Sequence, residues 1–503
     1  MDKSIYDIIC ENLTPEGRLP ADFSLPQEDA APNQIRFMVG AMDGIGVFHM
    51  GKGKPDKAAG KILRLLKADW RSGSDSREEI AALLREHNAA ALMDVILDGL
   101  RKNHNNVDLR VMLGYACALV LESDKEELVK LGIALLGLVK LDSKPELQEV
   151  IATLGLYDEF TLYAIVAASH WATGNDIIFS IAQKVDGWGK IHAVERLEPA
   201  TEEIRQWLLR HGCENRIMDA YLGLECAQKG DMIEALRQEA LDNELFDGIA
   251  VIIDALLDEG PVEGVSAYEH AEEALSRYLR FAGQHCTTLQ HLRHILNLQA
   301  WLADEEKELS KKGELLSLCR AITQRDSWPV MIQAALSGSD RQEFFYANNA
   351  ASRLDIDVTA LLYEAILREP VSNYTYLSEV YKNPEYAAQL TALYERTLPL
   401  EQMATGMGDY LFADTFGNEH HCLDFILQEL HRYPGMGMPL LLTALNSPVT
   451  RERNGACRVL ERWVEASFDI PQEVRDALQN VAKIELNSDT KKTMNALLGK
   501  LHD

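Results

Sequence analysis

The clearest structural signal in the chain is a helical hairpin that begins with Met438-Pro439-Leu440-Leu441-Leu442-Thr443-Ala444-Leu445. Proline is tolerated in the first turn of a helix, because its missing N–H has no intrahelical acceptor there. The polar turn Asn446-Ser447-Pro448-Val449-Thr450 follows, and a second segment with an apolar stripe runs from Arg451 to Ala466. The stretch therefore predicts two helices joined by a short turn.

A second stretch repeats this pattern earlier in the chain. Trp328-Pro329 opens a segment that ends in Ala335-Leu336, the turn Ser337-Gly338-Ser339-Asp340 follows, and a second segment ends at Leu354. Both pairs carry Ala-x-Arg in the second helix, as Ala351-Ser352-Arg353 and Ala456-Cys457-Arg458. These features resemble the HEAT/armadillo class of repeats, most clearly over residues 435–500. The resemblance implies an α-solenoid, in which neighbouring helix pairs stack to bury their apolar faces.

Helical spacing of apolar residues extends over most of the chain beyond residue 60. Leu147, Val150, Ile151 and Leu154, for example, lie at positions i, i+3, i+4 and i+7. No series of alternating β-branched residues bounded by hairpin turns is evident. We therefore predict an all-α fold, a HEAT-like α-solenoid of stacked helix pairs with a short irregular N-terminal segment. The expected divisions are an irregular Gly- and Pro-containing segment over residues 1–60, N-terminal repeats over 61–260, central repeats over 261–400 and C-terminal HEAT-like repeats over 401–503.

Composition and charge exclude several classes of protein. The 503 residues include 50 Lys and Arg against 78 Asp and Glu, a formal charge of −28. Nucleic acids and anionic membranes are bound through basic patches, so we expect neither as a partner. The N-terminus lacks the basic head and apolar core of a secretory signal, and no apolar run is long enough to span a membrane. The eight scattered cysteines form no CxxC pair. We expect a cytoplasmic protein with reduced thiols.

The charge is distributed unevenly along the chain. Lys52 to Arg71 contains seven basic and two acidic residues, a local charge of +5. Residues 201–310 contain 22 acidic and nine basic residues, a local charge of −13. The two segments either pair within the fold or serve different partners.

One further segment carries a narrower resemblance. Gly187-Trp188-Gly189-Lys190-Ile191-His192-Ala193-Val194-Glu195-Arg196-Leu197-Glu198-Pro199, continued by Trp207-Leu208-Leu209 and Gly212-Cys213, is similar to a bacterial family of HEAT-like proteins, mostly uncharacterised. Some members carry the name limonene hydroxylase, which implies haem or flavin chemistry. This sequence has neither a Gly-flanked cysteine loop for haem nor a strand–GxGxxG–helix for a dinucleotide. We therefore expect no cofactor.

The most unusual string in the chain is the glycine-rich segment from Gly40 to Lys54. Glycines allow a backbone to approach a phosphate closely, and Asp43, His49 and Lys52 would lie beside such a ligand. The segment lacks the Ser or Thr of a P-loop and the spacing of a dinucleotide site. The alternative is a turn-rich segment or short hairpin before the first helix of the solenoid.

A second candidate site lies in the Gly187 segment, where Trp188, His192, Glu195 and Arg196 occur at helical spacing. One interpretation is a general acid–base set. The other is a ladder of ion pairs along a helix, packed under Trp188 and ended by Pro199.

Metal and nucleophile signatures are weaker. His285, Cys286, His291 and His294 offer metal-ligand atoms, but no carboxylate pattern completes the set, and histidines on an exposed helix face are the alternative. The chain contains neither Gly-x-Ser-x-Gly nor a cysteine in a basic setting. We assign no catalytic, cofactor-binding or metal-binding residue.

The sequence thus favours a non-enzymatic acidic scaffold that binds another macromolecule. A basic protein is the expected partner, such as a nuclease-type toxin or a nucleic-acid-binding factor, because opposite charge speeds encounter. The alternative is an enzyme or small-ligand receptor, with a site between the glycine-rich segment and the helix around residues 188–198. We expect binding contacts among Asp43, His49, Lys52, Trp188, His192, Glu195 and Arg196.

Overall fold

The protein is all-α in this computed structural model, which describes residues 3–502 apart from 27–36, 50–56, 88, 103–107, 261, 308, 412 and 414–415. No β-strand occurs in the described part, where a single parallel bridge joins Tyr410 and Val449. None of the described helices combines the length and the apolar character that crossing a membrane requires.

The described residues form two compact units, divided between Gln324 and Arg325. The boundaries that the sequence predicts at residues 60, 260 and 400 separate groups of helical repeats, and they stay predictions. The helices of the first unit are α1 Ile5–Glu11, α2 Ala41–His49, α3 Lys57–Ser72, α4 Arg77–His87, α5 Ala89–Lys102, α6 Leu109–Glu122, α7 Glu126–Leu136, α8 Pro145–Leu154, α9 Asp158–Ala168, α10 Gly174–Ala182, α11 Trp188–Arg196, α12 Glu202–Trp207, α13 Ala220–Lys229, α14 Met232–Leu236, α15 Asn243–Leu256, α16 Ala271–His285, α17 Leu289–Ala303 and α18 Lys312–Thr323.

The second unit begins with the hairpin that the sequence predicts around Trp328. Its helices are α19 Ser327–Ser337, α20 Arg341–Arg353, α21 Thr359–Arg368, α22 Leu377–Val380, α23 Pro384–Thr397, α24 Leu400–Met403, α25 Asn418–Leu430, α26 Met438–Leu445, α27 Thr450–Glu465, α28 Gln472–Ile484 and α29 Ser488–His502. A π-helical turn, Leu208–Gly212, continues α12, and short 3₁₀ turns occur at Val265–Ala267 and Tyr374–Tyr376.

Both predicted hairpins are confirmed as helix pairs. α19 packs against α20, and α26 packs against α27. Asp340 lies in the turn that joins α19 to α20. Its side chain accepts hydrogen bonds from the backbone N–H groups of Gln342 and Glu343 at the start of α20. The polar turn is therefore also a helix cap, because it satisfies N–H groups that have no intrahelical acceptor.

The N-terminal segment differs from the irregular structure that the sequence predicts. Ile5–Glu11 and Ala41–His49 are both helical. α1 packs on α6 and α8, and α2 packs on α5, α9 and α11. Prolines and glycines lower helix propensity locally, but burial of one helix face against neighbouring helices overrides that preference.

Cysteines behave as small core residues in both units. Six of the eight are buried, and all eight are free thiols. Burial raises the pKa of Cys319, Cys422 and Cys457 to about 12. These thiols are consequently protonated at neutral pH.

The second unit contains a fully buried ion pair that links α27 to the residue after α28. Arg453 donates two hydrogen bonds to the carboxylate of Glu485, at 2.7 and 2.8 Å. The same guanidinium donates to the carbonyls of Ser447 and Gly408 and to the hydroxyl of Thr450. Because Nε, Nη1 and Nη2 each donate to at least one acceptor, the charge is tolerated in the core.

We expect Glu485→Gln to destabilise the second unit by about 3–5 kcal/mol, because it leaves the Arg453 guanidinium buried without its counter-charge. Hydrogen exchange of the α27 and α28 amides in the full chain measures this effect. The matched control is Glu465→Gln, in the exposed Arg462–Glu465 pair, for which we expect a loss of about 0.5 kcal/mol or less. Equal protection in the two variants would contradict the assigned role of the buried pair.

Candidate functional site

The glycine-rich segment contributes Asp43 to a buried cluster of charged groups. Lys130 of α7 donates from Nζ to Asp43 Oδ2 at 2.9 Å and also to the carboxylate of Glu159. The Tyr163 hydroxyl donates to the same oxygen of Asp43 at 3.0 Å. Asp43 is 3% exposed and Lys130 is 6% exposed. We call Asp43, Lys130, Glu159 and Tyr163 the buried charge cluster.

The environment of Lys130 explains why this cluster forms. All nine residues from Leu128 to Leu136 are buried, so the ammonium group has little water to solvate it. Burial lowers the pKa of Lys130, but the charges of Glu159 and Asp43 raise it by a larger amount. The net pKa therefore lies above that of an ordinary lysine. The ammonium is therefore retained in the interior because two carboxylates from other segments solvate it.

Burial and the charges of the cluster also raise the pKa values of Glu126 and Tyr163. Burial, reinforced by the charge of Glu159, raises the pKa of Glu126 to about 7. Burial together with the Asp43 carboxylate raises the pKa of Tyr163 well above its usual value. Tyr163 is thus a hydrogen-bond donor at neutral pH, and its role is to hold Asp43 in place.

The Gly40 region is not the turn or hairpin that the sequence predicts, since α2 begins at Ala41. Gly40 has φ +76°, a left-handed conformation that favours glycine. Its N–H donates to Glu159 Oε2 at 2.6 Å. The carboxylate of Glu159 thus occupies the position at which an anionic ligand would meet this backbone N–H group.

Gly44 lets α2 lie directly on α11. A Cβ atom at Gly44 would lie 2.2 Å from the Trp188 ring, which no side chain tolerates without displacement. The two candidate sites that the sequence predicts are thus neighbours in the fold, and the Trp188 ring packs between Gly44 and α11. His49 ends α2 and its side chain lies outside the description, as does Lys52.

The glycines on either side of Trp188 have a structural role of their own. The carboxylate of Asp158 accepts a hydrogen bond from the Gly189 N–H. Cβ atoms at Gly187 and Gly189 would lie 2.0 and 2.6 Å from oxygens of this carboxylate. Burial raises the pKa of Asp158 to about 7, although the hydrogen bond opposes the shift. The Gly-Trp-Gly motif thus allows an acidic side chain from α9 to cap the start of α11.

Trp188, His192, Glu195 and Arg196 all lie on α11. The Arg196 guanidinium donates to Glu195 at 3.1 Å, and His192 Nδ1 lies 3.8 Å from the same carboxylate. The ring centroids of Trp188 and His192 are 6.2 Å apart, and both side chains are buried. Glu195 and Arg196 thus form an ion pair at the end of α11, while Trp188 and His192 are directed into the core.

His291 and His294 are buried, contrary to the exposed helix face that the sequence favours. His291 Nε2 lies 2.8 Å from Asp247, and burial lowers the pKa of His294 to about 4. Their face of α17 packs on α15, which removes it from solvent. Among the described residues, no group of three or more His, Cys, Asp or Glu side chains is placed to hold a metal ion.

The acidic segment of the sequence forms an exposed surface in the first unit. Over the described residues of 201–307, fifteen acidic residues are exposed, against three exposed arginines, Arg216, Arg237 and Arg280. We call these exposed acids the acidic surface. They are Glu202, Glu203, Glu214, Asp231, Glu234, Glu239, Asp242, Glu244, Asp247, Asp258, Glu263, Glu269, Asp304, Glu305 and Glu306.

The described part of the basic segment, residues 57–71, lies in α3. α3 packs against α4, α5 and α6. Lys61 forms an ion pair with Glu79 of α4 at 2.5 Å. α3 thus packs on helices close to it in the sequence, and the acidic surface keeps its excess of negative charge.

Lys130, Glu159 and Tyr163 were not among the residues that the sequence predicts for a site. A signal for Lys130 was present, because a single lysine interrupts the apolar run from Leu128 to Leu136. Such a lysine implies a buried charge that needs an anionic partner. The identity of the partners was not readable, since Asp43 lies 87 residues away in sequence.

We expect Lys130→Met to release α2 from the first unit, because it leaves Asp43 and Glu159 as neighbouring buried carboxylates without a cation. The loss should be about 3–5 kcal/mol, measured as reduced hydrogen-exchange protection of the Ala41–His49 amides. Removing all three charges together, with Asp43→Asn and Glu159→Gln added, should restore most of this protection.

The control for this substitution is Lys144→Met, because Lys144 is exposed and lies 3.9 Å from Glu146. A solvent-exposed pair of this kind contributes about 1 kcal/mol or less. Wild-type protection of α2 in the Lys130→Met variant would show that the buried charge cluster does not hold this helix.

The close approach of α2 and α11 predicts that Gly44→Ala destabilises the first unit by about 1–3 kcal/mol, through overpacking against Trp188. Gly60→Ala is the matched control, since Gly60 is also helical and its Cβ would meet open space. Helix propensity alone should stabilise the Gly60 variant by up to about 1 kcal/mol. Thermal unfolding of both variants measures the difference, and a stabilised Gly44 variant would refute the packing argument.

No protein-family profile matches the chain, and no curated protein matches it. The resemblance to HEAT/armadillo repeats and the similarity around Gly187 to Cys213 stay predictions from the sequence. Function is therefore inferred from geometry and charge.

Proposed function

We propose that the chain is a non-enzymatic helical scaffold whose acidic surface binds a basic protein. The observation that carries this proposal is the fivefold excess of exposed acids over exposed arginines in residues 201–307. A surface of one sign raises the rate at which oppositely charged proteins meet it and rejects partners of like charge. Nucleic acids and anionic membranes are rejected on the same ground.

Arginines of the protein itself neutralise part of the acidic surface. We propose that the remaining exposed acids bind the partner. Arg210 donates to both oxygens of Asp242, at 2.6 and 2.7 Å, and also approaches Glu244. Arg237 bridges Glu234 and Glu273. These pairs hold Arg210 and Arg237 against nearby acids. Most of the other exposed acids therefore remain available to attract a basic protein.

We also propose that the helices stack as a HEAT-like α-solenoid within each unit. Support comes from the packing order from α13 onward, where helices contact elements close to them in sequence, such as α13 with α15, α15 with α17 and α17 with α18. Repeat proteins of this kind present extended surfaces to macromolecular partners.

A receptor site between the glycine-rich segment and α11 has less support. Asp43 is engaged by Lys130 and Tyr163, and Gly44 lies against Trp188. Asp43 and Trp188 are thus used in holding α2 in place.

The experiment compares capture of basic proteins by two sets of neutralised variants. The tagged full chain is exposed to extract of the cells that express it, then washed at about 0.1 M and about 1 M salt. A captured protein is purified, and its association rate is measured directly. Neutralising five exposed acids of the acidic surface should lower that rate about tenfold. The first set is Asp231→Asn, Glu239→Gln, Glu263→Gln, Glu269→Gln and Glu203→Gln.

The control set removes five exposed acids of the second unit, so that net charge changes equally. It consists of Asp355→Asn, Glu364→Gln, Glu385→Gln, Glu401→Gln and Glu473→Gln. We expect the control set to retain most of the association rate. Equal loss in both sets would assign binding to net charge alone, and a partner that is neutral or resistant to salt would overturn the proposal.

A further inference from the structure

A groove of about 150 Å³ opens on the second unit. It is lined by the turn between α19 and α20, the start of α20, the end of α21 and the 3₁₀ turn Tyr374–Tyr376. Phe344 and Tyr376 give it aromatic surface, while serine, threonine, asparagine and charged residues give it polar groups. A concave surface that combines aromatic rings with converging polar groups is the usual form of a small-molecule site.

The charged groups of the groove balance one another. Its lining includes two acids, Asp340 and Glu369, and two arginines, Arg341 and Arg368. Arg341 Nη2 lies 3.5 Å from Glu369 Oε2. Arg368 donates to two backbone carbonyls at the end of α19, and Asp340 accepts from two backbone N–H groups at the start of α20. Because each charge already has a partner, the groove favours a neutral occupant.

Neutral polar groups supply the remaining hydrogen-bonding capacity. Ser372, Thr375 and Tyr376 line the groove, and their hydroxyls make no hydrogen bond within the described part of the chain. Burial raises the pKa of Tyr376, so its hydroxyl is protonated at neutral pH. The Asn373 amide donates from Nδ2 to the Ala365 carbonyl at 2.8 Å, which leaves its oxygen as an acceptor. Hydroxyls both donate and accept, so these groups suit a ligand that does the same.

The apolar part of the groove is a supported aromatic ring. The ring centroids of Phe344 and Tyr376 are 4.8 Å apart, with 50° between the ring planes. Phe344 is 7% exposed, so it supports the half-buried Tyr376 from the protein side. The face of an aromatic ring is electron-rich and attracts groups with a partial positive charge. The C–H groups of a sugar ring, each beside an electron-withdrawing oxygen, are groups of this kind.

We propose that this groove binds a single neutral sugar ring. Its C–H face lies against Tyr376, and its hydroxyls exchange hydrogen bonds with Ser372, Asn373 and Thr375. A volume of 150 Å³ corresponds to about five water molecules, which suits one ring and not a longer chain. The site lies in the second unit, and its occupant does not depend on the proposed protein partner.

Other classes of small molecule fit this groove less well. An ion would find no unpaired charge among the described lining residues. A purely apolar molecule would displace water from the hydroxyls of Ser372, Thr375 and Tyr376 without replacing the lost hydrogen bonds, which is costly. A neutral ring that carries several hydroxyls satisfies both the aromatic surface and the polar groups.

The test titrates D-glucose, D-galactose and D-mannose separately into the full chain and follows binding by saturation-transfer NMR. We expect saturable binding of at least one sugar, with a dissociation constant of about 10 mM or tighter. Galactose and mannose each differ from glucose in the orientation of one hydroxyl, so the affinities should differ by about threefold or more. Absence of saturable binding for all three, or equal affinity for all three, would overturn the proposal.

Two kinds of analogue test the chemistry of the site. Cyclohexanol has a ring of similar size with one hydroxyl, and it should bind at least about tenfold more weakly than the best sugar, because hydrogen bonds are lost. Equal or tighter binding of cyclohexanol would assign the groove to an apolar ligand. Tighter binding of D-glucuronate or D-glucosamine than of glucose would overturn the assignment of a neutral occupant.

Two pairs of variants locate the site. Tyr376→Phe removes a hydroxyl that has no partner among the described residues, so it should leave the melting temperature unchanged and weaken sugar binding about fivefold. The matched control is Tyr386→Phe, at a half-buried tyrosine outside the groove. Thr375→Trp should abolish binding by filling the groove, whereas Thr397→Trp, at an exposed threonine that ends α23, should leave it unchanged. Circular dichroism confirms that each variant is folded, and unchanged binding in Thr375→Trp would overturn the proposal.

Discussion

The interior position of Lys130 is the constraint on which the arrangement of the first unit depends. An ammonium group surrounded by buried residues of its own helix has to be solvated by protein atoms. Asp43 and Glu159 supply the carboxylates, and Tyr163 holds Asp43 in position. Because a buried ion pair gains little net stability, its main effect is to specify where α2 docks. An apolar residue at position 130 would bury equally well but would not select Asp43.

Glycines, together with the buried charge cluster, allow the helices around it to pack closely. Gly40 and Gly44 allow α2 to reach α9 and α11, and Gly187 and Gly189 allow Asp158 to reach the start of α11. A side chain at any of these positions would separate the helices or collide with the carboxylate. The glycines of α2 and the glycines beside Trp188 thus contribute to one packing arrangement.

Charge serves different purposes inside and outside this protein. The buried pair of Arg453 with Glu485 is joined by two hydrogen bonds and links neighbouring elements of the second unit. On the acidic surface the acids outnumber the arginines that could neutralise them. This separation supports the proposed recognition of a basic protein by the acidic surface.

The sequence by itself determined the helical class, because apolar spacing and capping residues act over a few neighbouring positions. It located the hairpins at Trp328 and Met438 almost to the residue, and it marked Asp43 and Trp188 as unusual. Only the tertiary structure decided that α2 is a helix, that His291 and His294 are buried, and that Asp43 binds Lys130. These features arise from contacts between segments far apart in the chain, and periodicity within a segment carries no information about its partner.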